Sequence, residues 1–135
     1  MTYEPIFYEE FNRVLEKIAF FEDNPHVAVS VSGGPDSLAL MFLLNQWVSL
    51  KSGKLTALIV DHQIRKGSGD ECKYVKKIAD SKKIDCKILT WSGTKPKSRL
   101  MELARKKRYE LIINYCKKNK ILHLMIGHHF DDKLE

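Results

Sequence analysis

Apolar residues recur along the chain with two alternating periods. Between Glu4 and Phe21, the residues Phe7, Phe11, Val14, Leu15, Ile18 and Phe21 fall at helical spacing, which predicts an amphipathic helix lying on the domain. His26 to Val31 is short, valine-rich and alternating, and reads as a buried strand. Ser37 to Leu50 is apolar almost all round, so it reads as a helix covered on most faces. KLTALIVDH, Lys54 to His62, is a second strand. Asp70 to Lys82 is a helix with Val75, Ile78 and Ala79 inward, and Cys86 to Trp91 a third strand. Ser98 to Lys118 is a long helix whose apolar stripe is Leu100, Leu103, Ala104, Leu111, Ile112 and Tyr115. His123 to His129 is a fourth strand, and FDDKLE opens another helix.

Strands alternating with helices predict an α/β fold, a Rossmann-like parallel sheet with helices on both faces. The 135 residues suffice for one core, and no repeat, low-complexity tract or linker divides them. The chain stops at Leu134 and Glu135, one turn into a helix, with no glycine cap and no proline; the expectation is a piece truncated at its C-terminus. In parallel sheets ligands gather beyond the carboxyl ends of the strands. There the first strand delivers Ser32, Gly33, Gly34, Asp36 and Ser37, the second Asp61 and His62, and the fourth His128, His129, Asp131 and Asp132.

Composition narrows the setting. Three cysteines at wide spacings, with no CxxC, weaken zinc, iron–sulfur and thioredoxin-type readings and suit a reducing cytosol. No run approaches the ~20 apolar residues of a membrane span, and the acid-bearing N-terminus does not resemble a signal peptide. The net charge of +6 and pI near 9.2 fit a polyanionic partner without establishing one.

The loop SGGPDS, Ser32 to Ser37, is where the chemistry concentrates. A strand-to-helix turn of this kind aims backbone N–H groups at one spot, suited to phosphate. It has no lysine and so is not a Walker A loop, and its spacing fails the GxGxxG fingerprint. Gly33 and Gly34 permit positive φ and close backbone approach, and Ser32 and Ser37 add hydroxyl donors. Asp36, an acid inside a phosphate nest, suggests Mg²⁺ between carboxylate and phosphate; a plain helix cap is the competing structural reading. His128 and His129, adjacent on a strand, point to opposite faces, which disfavours a zinc site with His123. Asp131 reads equally as a helix cap or a metal ligand, and Asp61 and His62 equally as functional or capping residues. Arg105 and Arg108, three apart, share a helical face, with a solvated stripe as the bland alternative. Lys95, Lys97 and Arg99 form a weak candidate patch for a phosphate backbone.

SGGPDS resembles the SGGxDS loop of the PP-loop ATP pyrophosphatases, which cleave ATP between the α and β phosphates and adenylate an oxygen of their substrate. VDHQIR (60–65), ELARKKRY (102–109) and HHFDDKLE (128–135) resemble the VDHxLR, ARxxRY and HHxDDQxE segments of the tRNA(Ile)-lysidine synthetase family. The four matches follow the family's order. Ile64 replaces the usual leucine, and Lys133 stands where the family has glutamine.

The resemblance implies an adenine nucleotide alpha hydrolase-like fold, with residues 1–135 the N-terminal part of a PP-loop ATP-binding catalytic domain and the C-terminal tRNA-binding domains outside them. It implies a cytoplasmic ATP-dependent ligase with ATP and Mg²⁺ as cofactors. Its partners would be tRNA(Ile) with a CAU anticodon and free lysine, with a homodimer left open. Ser32, Gly33, Gly34, Pro35, Asp36, Ser37, Asp61 and Arg65 would bind the nucleotide, Asp36 and Asp132 the metal, and Asp36, His62, Arg105, Arg108 and His129 would carry catalysis. Two rivals remain: another PP-loop tRNA-modifying enzyme such as a thiolase, and a nucleotide-binding fragment without activity.

Overall fold

The computed structural model describes residues 5–64 and 66–126. Eight elements alternate as expected: α1 (Pro5–Ile18), β1 (His26–Ser30), α2 (Pro35–Leu50), β2 (Lys54–Asp61), α3 (Ser68–Ser81), β3 (Asp85–Thr90), α4 (Leu100–Lys118) and β4 (His123–Ile126). The four strands form one parallel sheet in the order β3-β2-β1-β4. Parallel crossovers are right-handed. Stepping from β1 to β2 to β3 therefore puts α2 and α3 on one face. The return to β4, on the far side of β1, puts α4 on the other. The core divides accordingly. Val27, Val29, Leu55, Ala57 and Ile59 pack with Leu15, Met41, Leu44, Trp47 and Val75 on the three-helix face. Ala28 and Leu58 pack with Ile112, Cys116 and Ile121 beneath α4.

Boundaries shift where local chemistry overrides periodicity. Helix α2 begins two residues early because Pro35 suits the first helical position, where no N–H is needed. Helix α1 stops at Ile18, and Val14 and Ile18 are exposed rather than inward; Phe11 and Leu15 of the helix reach the core, as does Phe21 beyond its end. In α4, Leu103 is on the exposed side and Cys116 takes a buried place that the apolar stripe did not assign. Gly53 turns α2 into β2 so close to Pro25 that a Cβ there would collide with the Pro25 carbonyl oxygen, which instead accepts the Lys54 N–H. The outer part of the fourth strand and the helix expected at FDDKLE lie outside the described residues. No helix among the described residues is long and apolar enough to cross a membrane.

Candidate nucleotide site

The sheet order places a topological switch point between β1 and β4: from β1 the chain steps outward through β2 to β3, then returns to β4 on the other side of β1. Such a crevice, outside the carboxyl ends of the strands, is where open α/β sheets take ligands. Ser30 ends β1 there, level with Ile126 of β4 and Leu58 of β2. The loop 32–37 follows at once, so its position is set by strand register.

The loop holds its own shape. The Ser37 side chain is buried, and its Oγ accepts the Ser32 N–H at 2.9 Å and lies 3.0 Å from the Ser32 carbonyl oxygen and 3.3 Å from that of Gly34. The Ser32 hydroxyl meets Ser37 Oγ at 3.1 Å and accepts the Gly34 N–H at 3.3 Å. The two hydroxyls expected as ligand donors thus close the loop, Ser37 from inside. Neither glycine sits at positive φ; Gly34 is extended, with φ −75° and ψ 154°. The Glu71 carboxylate lies against Gly33, in the space a Cβ would take, and accepts its N–H at 2.9 Å. No side chain caps α2. Leu38 donates the first helical bond to Gly34, at 3.2 Å. The Asp36 and Ser37 amides have no acceptor within the helix and carry its positive end. Pro35 and Asp36 are exposed beside them.

Asp61 at the end of β2 accepts the Gln63 N–H at 3.0 Å, an Asx-type turn bond, and its own carbonyl accepts the Trp91 N–H at 2.9 Å. His62 lies edge-on to Trp91, with ring centroids 6.4 Å apart. Arg105 and Arg108 share a face, as their spacing requires, and flank the Tyr109 ring at 6.0 and 5.4 Å. Arg105, Lys107 and Arg108 are all half-buried, and Lys107 pairs with Glu110 at 3.2 Å. Arg108 Nε is buried and has no acceptor among the described residues, a donor suited to an anion.

The basic loop patch does not assemble. The Lys95 ammonium lies 4.5 Å over the Trp91 ring and donates to the carbonyls of Trp91 and Gly93, while Arg99 forms a two-bond pair with Glu102. Lys97 is exposed. His123 sits at the opposite end of the sheet, paired with Glu22 at 3.0 Å. Among the described residues no three ligands group around a metal position. Arg65, His128, His129, Asp131 and Asp132 lie outside the described residues. Glu71 and Trp91 are the site neighbours that sequence reasoning missed. Glu71 carried only the signal of an acid in a helix's first turn, and Trp91 that of an aromatic leaving a strand.

The thiols are poorly suited to chemistry. Cys72 and Cys86 belong to the three-helix core and Cys116 to the opposite one. Burial pushes Cys72 up to about 11, with Asp61 and Glu71 adding to it, and burial likewise pushes Cys86 up to about 11 and raises Cys116. A cleft of about 580 Å³ lined by Phe20, Phe21, Glu22 and Trp47 opens at the amino end of the strands, away from the loop.

A parallel sheet with a self-closed SGGPDS loop at its switch point defines a nucleotide-binding α/β domain. The chain belongs to the PP-loop domain family, whose model matches residues 4–135, and that family implies ATP binding. It is 42% identical over 121 residues, 90% of its length, to the tRNA(Ile)-lysidine synthase of Orientia tsutsugamushi strain Boryong. It is 37% identical over 93% of its length to the protein of that name from Wolbachia pipientis wMel, and 40% identical over 82% to that of Rhodopseudomonas palustris. The chain spans 27%, 29% and 33% of those three relatives. Its fold is similar to that of the U34-tRNA thiolase NcsA from Methanococcus maripaludis with its [4Fe-4S] cluster: TM-score 0.76, 24% identity, covering 94% of this chain and 48% of that one.

Proposed function

We propose that this chain carries the ATP-binding part of a tRNA(Ile)-lysidine synthase. The reaction adenylates the C2 oxygen of the wobble cytidine in a CAU anticodon and joins lysine there. The cytosine oxygen attacks the α-phosphate of ATP and pyrophosphate leaves; the lysine amine then displaces AMP. The observation that carries this reading is the 42% identity to a lysidine synthase across the loop and the ARKKRY helix together. The cytoplasm, where charged and uncharged tRNA meet ATP, is its proposed location.

The chain's own contribution is positioning and charge neutralisation, which phosphoryl transfer needs more than a covalent protein nucleophile. The Asp36 and Ser37 amides, at the positive end of α2, would receive the departing pyrophosphate. Arg105 and Arg108 would take triphosphate or tRNA phosphates, and His62 and Arg65 would line the nucleotide on the β2 side. His129 is assigned to catalysis by resemblance alone. The exposed Asp36 carboxylate beside open amides fits a divalent cation, so Asp36, with Asp132, would hold Mg²⁺. When bound, Mg²⁺ neutralises phosphate charge.

A thiolase is the second reading, favoured by the fold likeness alone. The absence of a CxxC pair and the high-pKa, buried thiols weigh against it.

The test is pyrophosphate release from ATP·Mg²⁺ with transcripts of tRNA(Ile), together with transfer of labelled lysine. Release with the CAU transcript and not with a GAU one, with lysine incorporated, is the expected result. Release coupled to a sulfur donor, with lysine ignored, would hand the function to the second reading.

A further inference from the structure

One side chain from another element reaches into the loop. Glu71, in the first turn of α3, bonds the Gly33 N–H through Oε1 at 2.9 Å. The other side-chain bonds described on the loop backbone come from Ser32 and Ser37, within the loop. A Cβ on residue 33 would lie 2.8 Å from Glu71 Oε1 and 3.0 Å from its Cγ, so glycine at 33 is what admits the carboxylate. Two glycines in succession leave the loop with large conformational freedom, and that freedom must be lost before several amides can hold one polyphosphate. A charge-assisted bond from a neighbouring helix removes part of it in advance.

We propose that Glu71 is a positioning residue of the phosphate loop: it holds the Gly33 amide on the α3 side, so that the Asp36 and Ser37 amides are the ones presented to a polyphosphate. This rests on the nucleotide reading above. The bond gives the first half of the loop a fixed anchor, and strand β1 and helix α2 fix the two ends. The carboxylate also gives the loop polarity. Its charge repels phosphate from the Gly33 side and leaves the helix end as the favourable place.

The test is calorimetric titration of the 135-residue chain with ATP·Mg²⁺ and with pyrophosphate·Mg²⁺, comparing the parent, Glu71→Ala and Glu71→Gln. Glu71→Ala is expected to weaken both ligands about tenfold, the scale of one charge-assisted bond. Glu71→Gln keeps a carbonyl oxygen for Gly33 and is expected to stay within about threefold of the parent. Melting temperatures should match, because Glu71 is exposed. A second readout needs no ligand: the Gly33 amide proton resonance should move in Glu71→Ala and be largely retained in Glu71→Gln. Equal or tighter binding by Glu71→Ala would overturn the proposal and make the carboxylate a competitor that phosphate displaces. If the parent binds neither ligand, the nucleotide reading falls and the proposal with it, while an unchanged Gly33 resonance in Glu71→Ala refutes the anchoring alone.

Discussion

The two ends of the sheet are built on opposite plans. At the amino ends of the strands, polar groups satisfy one another. His26 Nε2 meets the Thr56 hydroxyl at 2.8 Å, that hydroxyl reaches Asp85 at 3.4 Å, and Lys54 and Lys87 flank Asp85 at 3.8 and 3.5 Å. The Trp47 indole donates to Asn12 at 2.7 Å and packs edge-on with Phe21, which leans on His123. At the carboxyl ends, α2 starts without a side-chain cap and Asp36 stands exposed. A binding edge needs unsatisfied groups, and such groups cost stability. On the proposed reading, the closed end supplies that stability at a distance from the nucleotide.

The sharpest way to break this division is Trp47→Ala, since Trp47 is the largest fully buried side chain. It should cost about 3–5 kcal/mol, read as a fall in melting temperature. Trp47→Phe should cost less, and for molecules that remain folded ATP·Mg²⁺ affinity should be unchanged in both. A parallel loss of affinity would mean the two ends are coupled. Asp36→Asn is the mirror experiment. It should lower ATP·Mg²⁺ affinity by about tenfold to a hundredfold, the scale of one lost charged partner, with no change in melting temperature. Equal binding would make Asp36 a helix-end acid only.

The thiols probe the core between the ends. With Cys72 and Cys86 at about 11 and buried, the folded chain at pH 8 should react with iodoacetamide at least about tenfold more slowly than in denaturant. Equal rates would show that the core opens easily. The smallest effect belongs to His26, whose pKa is lowered by burial first and by Lys54 second, against the pull of Asp85 and Glu22. The fold favours the neutral ring, so the unfolded chain binds the proton first. This contribution is full above about pH 6.5 and is lost as pH falls through the window below it. Melting should be lower at pH 5.5 than at pH 7.5, and His26→Gln should shrink that difference by roughly 2 °C. An unchanged difference would move the pH response to other groups.

The alternation of periods was enough to read all eight described elements in order, because each helix or strand shows its core-facing residues locally. Boundaries were less legible. Val14 and Ile18 obey the helical period yet face solvent, because α1 covers only part of the α2 side. The loop was legible as a strand-to-helix turn. The use of its parts was not: Ser37 reads as a donor for a ligand but is buried in the loop's own closure. Lys95 reads as part of a basic patch but is folded over Trp91.

What the sequence determined by itself is local: the two periods, the bare SGGPDS turn between a strand and a helix, and the lack of a lysine or a cysteine pair in it. What only the tertiary structure decided is which groups meet. The order β3-β2-β1-β4, which opens the crevice beside β1, follows from crossover handedness acting over the whole chain. The meeting of Gly33 with Glu71, 38 residues apart, depends on α3 lying over the same core as α2. Periodicity carries no record of such pairs, since a contact between elements is set by how their apolar faces dock and not by spacing along one of them.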